Sequence, residues 1–239
     1  MDKRTKLVFL LVSVLLSLVY IGLVYFGIIR YVKMHCTDPE KFIAGYSALD
    51  RADTDNRVVI TLEIPAREID KIEPLMNSIL DQTVKVDEIA IHIYVEDDQE
   101  IAIPKYLKKI ARIYMVKKSH GQGNAIIPTI MREKDGNTII MHLDHMQIFG
   151  KDFIEDFLTD VKDGAVSAKG AMLIRPNMFT TKDLYDFNTK NAHRFGMWEA
   201  EKLIDKGIAI KNKSYRENYT TWRSRKRVNI QRNVRFATA

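Results

Sequence analysis

Four short stretches of this 239-residue chain concentrate groups that can hold a ligand. Pro65-Ala66-Arg67 puts a cation on a turn, and Glu96-Asp97-Asp98 is a run of three carboxylates. Gly121-Gln122-Gly123-Asn124, just ahead of a helical pattern, can aim backbone N–H groups at a phosphate, although a Gly-x-Gly also makes an ordinary turn. Asp144 is the hard oxygen ligand that Mg²⁺ or Mn²⁺ prefers, whereas Met146 is a soft thioether that suits neither. His142 and Asp144, two residues apart, share one face if their segment is extended.

Each stretch follows a segment that reads as a β-strand. Residues 58–64 are a β-branched run, residues 88–95 alternate, and residues 113–116 and 137–143 are shorter apolar runs. Between them, Ile69, Ile72, Leu75, Met76, Ile79 and Leu80 have helical spacing, and residues 126–131 fit a second helix. Strands alternating with helices predict an α/β fold, a mostly parallel sheet flanked by helices. In such sheets ligands bind beyond the carboxyl ends of the strands, where the four stretches lie.

Composition and charge narrow the classes further. The single cysteine, Cys36, excludes an intramolecular disulfide and a cysteine-based zinc site. The net charge is +6, yet residues 211–239 hold nine Lys or Arg against Glu217, so this tail carries +8 and the rest −2. A mildly acidic body with a basic tail is not a uniformly basic nucleic-acid binder. The run of Arg and Lys at 223–227 suits anionic lipid, or serves as a solubilising tail. Residues 7–29 contain no charge and, as a helix, span about 34 Å, enough for one transmembrane helix rather than a cleaved signal. Lys3, Arg4 and Lys6 precede this span and Arg30, Lys33 and Lys41 follow it; the expected arrangement is single-pass with a cytosolic amino terminus. The sequons at Asn212 and Asn218 matter only in a luminal compartment. Five segments are expected: a short amino-terminal tail (1–6), the membrane helix (7–29), a stalk (30–56), the α/β domain (57–210) and the basic tail (211–239).

Over about residues 57–208 the sequence resembles glycosyltransferase family 2-like proteins of GT-A fold, of the kind found in microbial and large-virus genomes. Pro65 and Arg67 match the family's Pro-x-Arg turn. Ser78, Ile79, Leu80, Gln82 and Thr83 match its Ser-Leu-Leu-x-Gln-Thr pattern, and residues 137–157 match the region of its Asp-rich motif. With the span at 7–29 as its anchor, the resemblance implies a membrane-anchored enzyme that transfers a sugar from a nucleotide-sugar donor to an unknown glycan, protein or lipid acceptor. Pro65, Arg67, Glu96, Asp97, Asp98, Gly121 and Gly123 would then frame the donor, and Asp144 with His145 would hold a Mn²⁺ or Mg²⁺ ion. In the family's motif Met146 stands where a second carboxylate is expected, and Phe195-Gly196 where an Asp-Asp pair supplies the base. Glu199 or Glu201 would substitute as that base. The two departures also fit an alternative, a catalytically degenerate GT-A-fold binding or scaffold protein tethered to a membrane.

If residues 7–29 span a bilayer, the full chain stays with membranes through high-salt and alkaline carbonate washing. Release into the carbonate supernatant would contradict the span.

Overall fold

The computed structural model describes residues 2–95, 101–117, 123–159, 164–185, 187, 196–215 and 219–220. Helix α1 (Lys3–Tyr25) buries none of its side chains in the protein, and by length and composition it can cross a membrane. It ends before the uncharged run does. Gly27 adopts φ +64°, the left-handed region that glycine enters without strain, and the N–H groups of Phe26 and Gly27 close the last turn on the carbonyls of Gly22 and Val24. A second helix, α2 (Ile28–Cys36), starts at once.

The segment expected to be a stalk is packed. Helices α2 and α3 (Glu40–Ser47) bring Met34, fully buried, and Phe42 and Tyr46, nearly so, into the main core. They sit on α4 (Glu73–Leu80), whose Asn77 amide donates to the carbonyls of Met34 at 2.9 Å and Thr37 at 2.7 Å. These carbonyls lie at the carboxyl end of α2, where the helix itself supplies no partner. The Arg30 guanidinium pairs with Asp81 and donates to the Phe149 carbonyl. Three apolar anchors spread through a polar stretch give no periodic signal of this docking in the sequence.

The body runs β1 (Val58–Pro65), a 3₁₀ turn (Ala66–Lys71), α4, β2 (Glu88–Tyr94), α5 (Lys105–Ile110), β3 (Arg112–Val116), α6 (Gly123–Arg132) and β4 (Ile139–Leu143). It continues through β5 (Gln147–Ile148), α7 (Phe153–Leu158), β6 (Ala165–Ala168), β7 (Ala171–Ile174), α8 (Thr181–Tyr185), α9 (Met197–Asp205), β8 (Ile210–Asn212) and β9 (Tyr219–Thr220). The helical spacing that begins at Ile69 becomes α-helix only at Glu73. Pro74, which lacks an N–H, fits the first turn of α4 and not a helix interior.

Seven strands form one sheet in the order β3-β2-β1-β4-β7-β6-β8. β3, β2, β1 and β4 are parallel neighbours, β7 is antiparallel to β4 and β6, and β8 is parallel to β6. This is the expected α/β architecture, a mostly parallel sheet with helices on both faces. One face packs on α2, α3, α4 and α7; on the other, Trp198 and Leu203 of α9 meet Ile126 and Ile130 of α6. The β6–β7 hairpin turns at Gly170, φ +72°, where an added Cβ would run into the Gln147 side chain. The first residues of the expected tail join the body: Lys211 and Asn212 lie in β8, and the Tyr215 ring packs 4.9 Å from that of Phe153. β9 pairs with β5 and so crosses the loop that follows β4.

Two outcomes follow from the docked segment. Asn77→Ala, which strips the buried Met34 carbonyl and the part-buried Thr37 carbonyl of their donor, should destabilise the fold by about 2 kcal/mol in urea titration of the detergent-solubilised chain. A chain starting at Asp55 should be far less stable than one starting at Gly27, since it loses three buried anchors worth about 2–5 kcal/mol each. Equal stability of the two truncated chains would show that the segment is a passive spacer.

Candidate functional site

The carboxyl ends of β1 and β4 meet at the middle of the sheet. Their register pairs Val58 with Ile139 and Thr61 with His142, so Glu63 and Asp144 reach the same edge two residues later. Asp144 is held firmly: its N–H donates to the Gly170 carbonyl at 2.8 Å, and its Oδ1 accepts the Met146 N–H at 3.0 Å. The tight turn presents the carboxylate while β5 begins. Beside it, His145 Nδ1 is 3.9 Å from Asp144 Oδ1, and His145 Nε2 is 3.3 Å from Glu68 Oε2. Glu68 lies in the 3₁₀ turn after β1 and is buried; Arg67, its neighbour, is well exposed, with Nε 4.0 Å from Glu68 Oε1. Pro65 closes β1 and is partly buried.

Pro65 thus ends β1 and Arg67 follows it, and Asp144 and His145 follow β4, at the adjoining ends of the two strands. Glu96, Asp97, Asp98 and Gly121 lie outside the described residues. Gly123 opens α6 under the Phe187 ring, which occupies the space where its Cβ would stand. Glycine is required there for close packing of a ring.

A buried polar layer lies beneath this edge, on the α6 and α9 face. Glu63 Oε1 accepts from Asn124 Nδ2 of α6 at 3.1 Å, while Oε2 is buried with no hydrogen-bond partner among the described residues. Burial pushes the Glu63 carboxyl up to about 7, against the opposing pull of the Asn124 amide and of His142 and His145. Next to it in the sheet, His92 is paired with Glu63 in the β1–β2 register, and its Nε2 lies 3.2 Å from Thr129 Oγ1. Burial, with the nearby Arg132 charge, pulls this imidazole down to about 4. Thr129 also bonds Thr61 Oγ1 at 2.9 Å.

His142 is fully buried, and its Nδ1 lies 2.5 Å from Glu199 Oε1. Glu199, expected as a base, is therefore committed to an interior pair, with its α9 neighbour Trp198 stacked on Phe179. Glu201 is exposed, and a spacing of two residues on a helix turns it away from the Glu199 side. No local sequence pattern marks Glu63, Glu68 or the His142–Glu199 pair. A carboxylate in a strand run looks solvent-facing until a helix is known to cover it.

Among the described residues, no group of three or more His, Cys, Asp or Glu is arranged to hold a metal ion. Asp144 and Glu68 face opposite nitrogens of the His145 ring, so no single cation is shared by all three; a hard cation on either carboxylate would take most of its ligands from substrate phosphates and water, as Mg²⁺ commonly does.

No protein-family model matches this sequence, and no curated protein does. Among solved structures, the chain is similar to the mannosyltransferase PcManGT from Pyrobaculum calidifontis in complex with GDP-Man and Mn²⁺, with a TM-score of 0.51, 14% identity and coverage of 78% of this chain and 65% of that one. It also overlaps TarS of S. aureus (TM-score 0.49, 12% identity, 71% of this chain and 37% of that one) and HddC from Yersinia pseudotuberculosis (0.47, 12%, 68% and 92%). The chain thus spans about two thirds of PcManGT and a little over a third of TarS. At this identity the match to PcManGT shows the fold alone, which is GT-A-like.

Protonated Glu63 stabilises the fold fully below its ordinary carboxyl value of 4.5, and the contribution is lost as pH rises through about 7. His92 acts in the opposite sense, its contribution being lost as pH falls from 6.5 through about 4. The difference between wild type and Glu63→Gln isolates the carboxyl. Relative to wild type, the variant should gain at most about 3 kcal/mol between pH 5 and pH 8 in chemical denaturation. A difference that does not change with pH would contradict the burial of the charge.

Proposed function

We propose that the α/β domain binds a nucleotide-diphosphate sugar along the carboxyl edge of β1 and β4 and transfers the sugar to an acceptor hydroxyl. The observation that supports this reading is the placing of Glu63 and Asp144 at adjoining ends of β1 and β4, with His145 between Asp144 and Glu68 and with Arg67 exposed next to Glu68. The fold shared with a structure holding GDP-Man and Mn²⁺ is consistent with it.

In the transfer, the bond between the anomeric carbon and the diphosphate oxygen breaks, and the electron pair leaves with the diphosphate. A new bond forms from the acceptor oxygen, whose proton passes to a base. Arg67 offers a guanidinium suited to a phosphate fork. Glu63, half protonated near neutral pH, is the base in this reading, in place of the committed Glu199. His142 and Glu199 keep the end of β4, and with it Asp144, in place. Mg²⁺ or Mn²⁺, when bound through Asp144 and His145 or Glu68, supplies positive charge against the leaving diphosphate. Pro65 and Gly123 shape the turns around the donor; Glu96, Asp97, Asp98 and Gly121 complete the frame on the same reading.

Helix α1 holds the enzyme in the membrane as a single pass with the amino terminus on the cytosolic side, supported by Lys3, Arg4 and Lys6 ahead of the span. The basic residues at 223–227 reach anionic lipid. A second reading, donor binding without transfer, is favoured by one observation: the position after His145 is Met146, whose N–H, not a second carboxylate, meets Asp144.

Calorimetry of the full chain in detergent with UDP- and GDP-sugars, with and without Mn²⁺, tests the proposal. Metal-dependent binding should weaken at least about tenfold in Asp144→Asn and in Arg67→Ala, roughly 1.4 kcal/mol. Glu63→Gln should keep binding and lose diphosphate release. Binding with no release in the wild type would favour the second reading. Binding unaffected by Asp144→Asn and Arg67→Ala would place the donor elsewhere.

A further inference from the structure

Helix α2 has two working faces, and the fold explains only one. At about 100° per residue, Arg30 and Met34 fall together on the side turned to α4, where Met34 is fully buried and Arg30 pairs with Asp81. On the opposite side Ile28, Val32, Cys36 and Ile29 fill one contiguous arc of about 100°. These residues stay open: Ile28 is 43% exposed, Ile29 41% and Val32 45%, and Cys36 is exposed as well. A helix docked so firmly on one face has no need of isoleucine and valine on the other unless something apolar covers them.

What covers them is set by the chain just before. Only Phe26 and Gly27 separate α2 from α1, and Tyr25 and Phe26 at the junction are 56% and 62% exposed. The apolar arc therefore continues directly from the helix that can cross a membrane, through Phe26 and through Tyr25, a residue type enriched at the headgroup level. The left-handed turn at Gly27 breaks the helix axis at that point. Lys33, at the border of the arc, keeps its ammonium on the protein side, 3.4 Å from Asp81 and over the Phe42 ring.

We infer that α2 is an interfacial helix, seated in the headgroup–acyl boundary of the bilayer through Ile28, Ile29, Val32 and Cys36 and clamped to the domain through Arg30 and Met34. This inference rests on the reading that α1 spans the membrane. The domain is then fixed against the membrane surface. Arg30 also donates to the Phe149 carbonyl, in the segment just past β5, so the bilayer and the edge carrying Asp144 are linked by one short chain of contacts.

The test uses the full chain in phosphatidylcholine vesicles with an environment-sensitive fluorophore on single cysteines. The native Cys36 is labelled in the unaltered chain; in a Cys36→Ser background the positions are Ile28→Cys, Ile29→Cys, Val32→Cys, Lys33→Cys, Lys41→Cys and Leu15→Cys. Labels at 28, 29, 32 and 36 should shift to the blue and be quenched by lipids spin-labelled near the headgroup about twofold more than labels at 33 and 41. The label at 15 should respond to lipids spin-labelled deep in the acyl chain. A deep label at 15 with water-like labels at 28, 29, 32 and 36 would overturn the inference and leave the anchor standing. A water-like label at 15 would overturn both. Blue-shifted labels at the four positions that ignore the lipid quencher, with disulfide-linked dimers forming through Cys36 under oxidant, would assign the face to a second copy and overturn the inference.

Discussion

The parallel pairing of β1 with β4 is the constraint on which the rest of the molecule depends. It joins residues about eighty positions apart in sequence and aligns Thr61 with His142, so that Glu63 and Asp144 end at one edge. A slip of one residue would turn His142 and Asp144 to the face occupied by α4 and α7, away from Glu199. Burial holds the register. β1 is buried along nearly its whole length, and its polar exceptions, Thr61 and Glu63, are met by Ala125, Thr129 and Asn124 of α6.

That polar layer is costly for a core. Burial moves Glu63 and His92 in opposite senses, each toward its neutral form, because the interior penalises whichever form is charged. Glu63 keeps one oxygen without a described partner. An apolar residue at 63 would pack under α6 without that penalty, so the carboxylate is best understood through the edge it serves. Strain or desolvation retained in an otherwise consistent fold tends to mark function. The His142–Glu199 pair differs: it satisfies itself in the interior and ties α9 to β4.

Much of this was legible in the sequence. The β-branched runs gave the four parallel strands, and the rule that ligands sit beyond strand carboxyl ends pointed to Pro65, Arg67, Asp144 and His145. What escaped was whatever depends on distant partners. Glu63 reads as an ordinary strand residue until α6 covers it, and Glu199 reads as a surface carboxylate until His142, fifty-seven positions away, is found beside it. The β6–β7 hairpin has strands of only four residues, too short for a periodic signal, and only Lys169-Gly170 marks its turn. The docking of residues 28–47 turns on Asn77, a side chain whose two carbonyl partners no local pattern reveals.

The central claim is that the diphosphate of a nucleotide sugar lies on the edge built by β1 and β4. Hydrogen–deuterium exchange of the full chain, with and without a nucleotide sugar and Mn²⁺, addresses it most directly. The account predicts slowed exchange confined to amides of residues 64–69 and 143–148, the turns after β1 and β4. Saturating donor that leaves both turns unchanged, or that protects only amides remote from them, would contradict it.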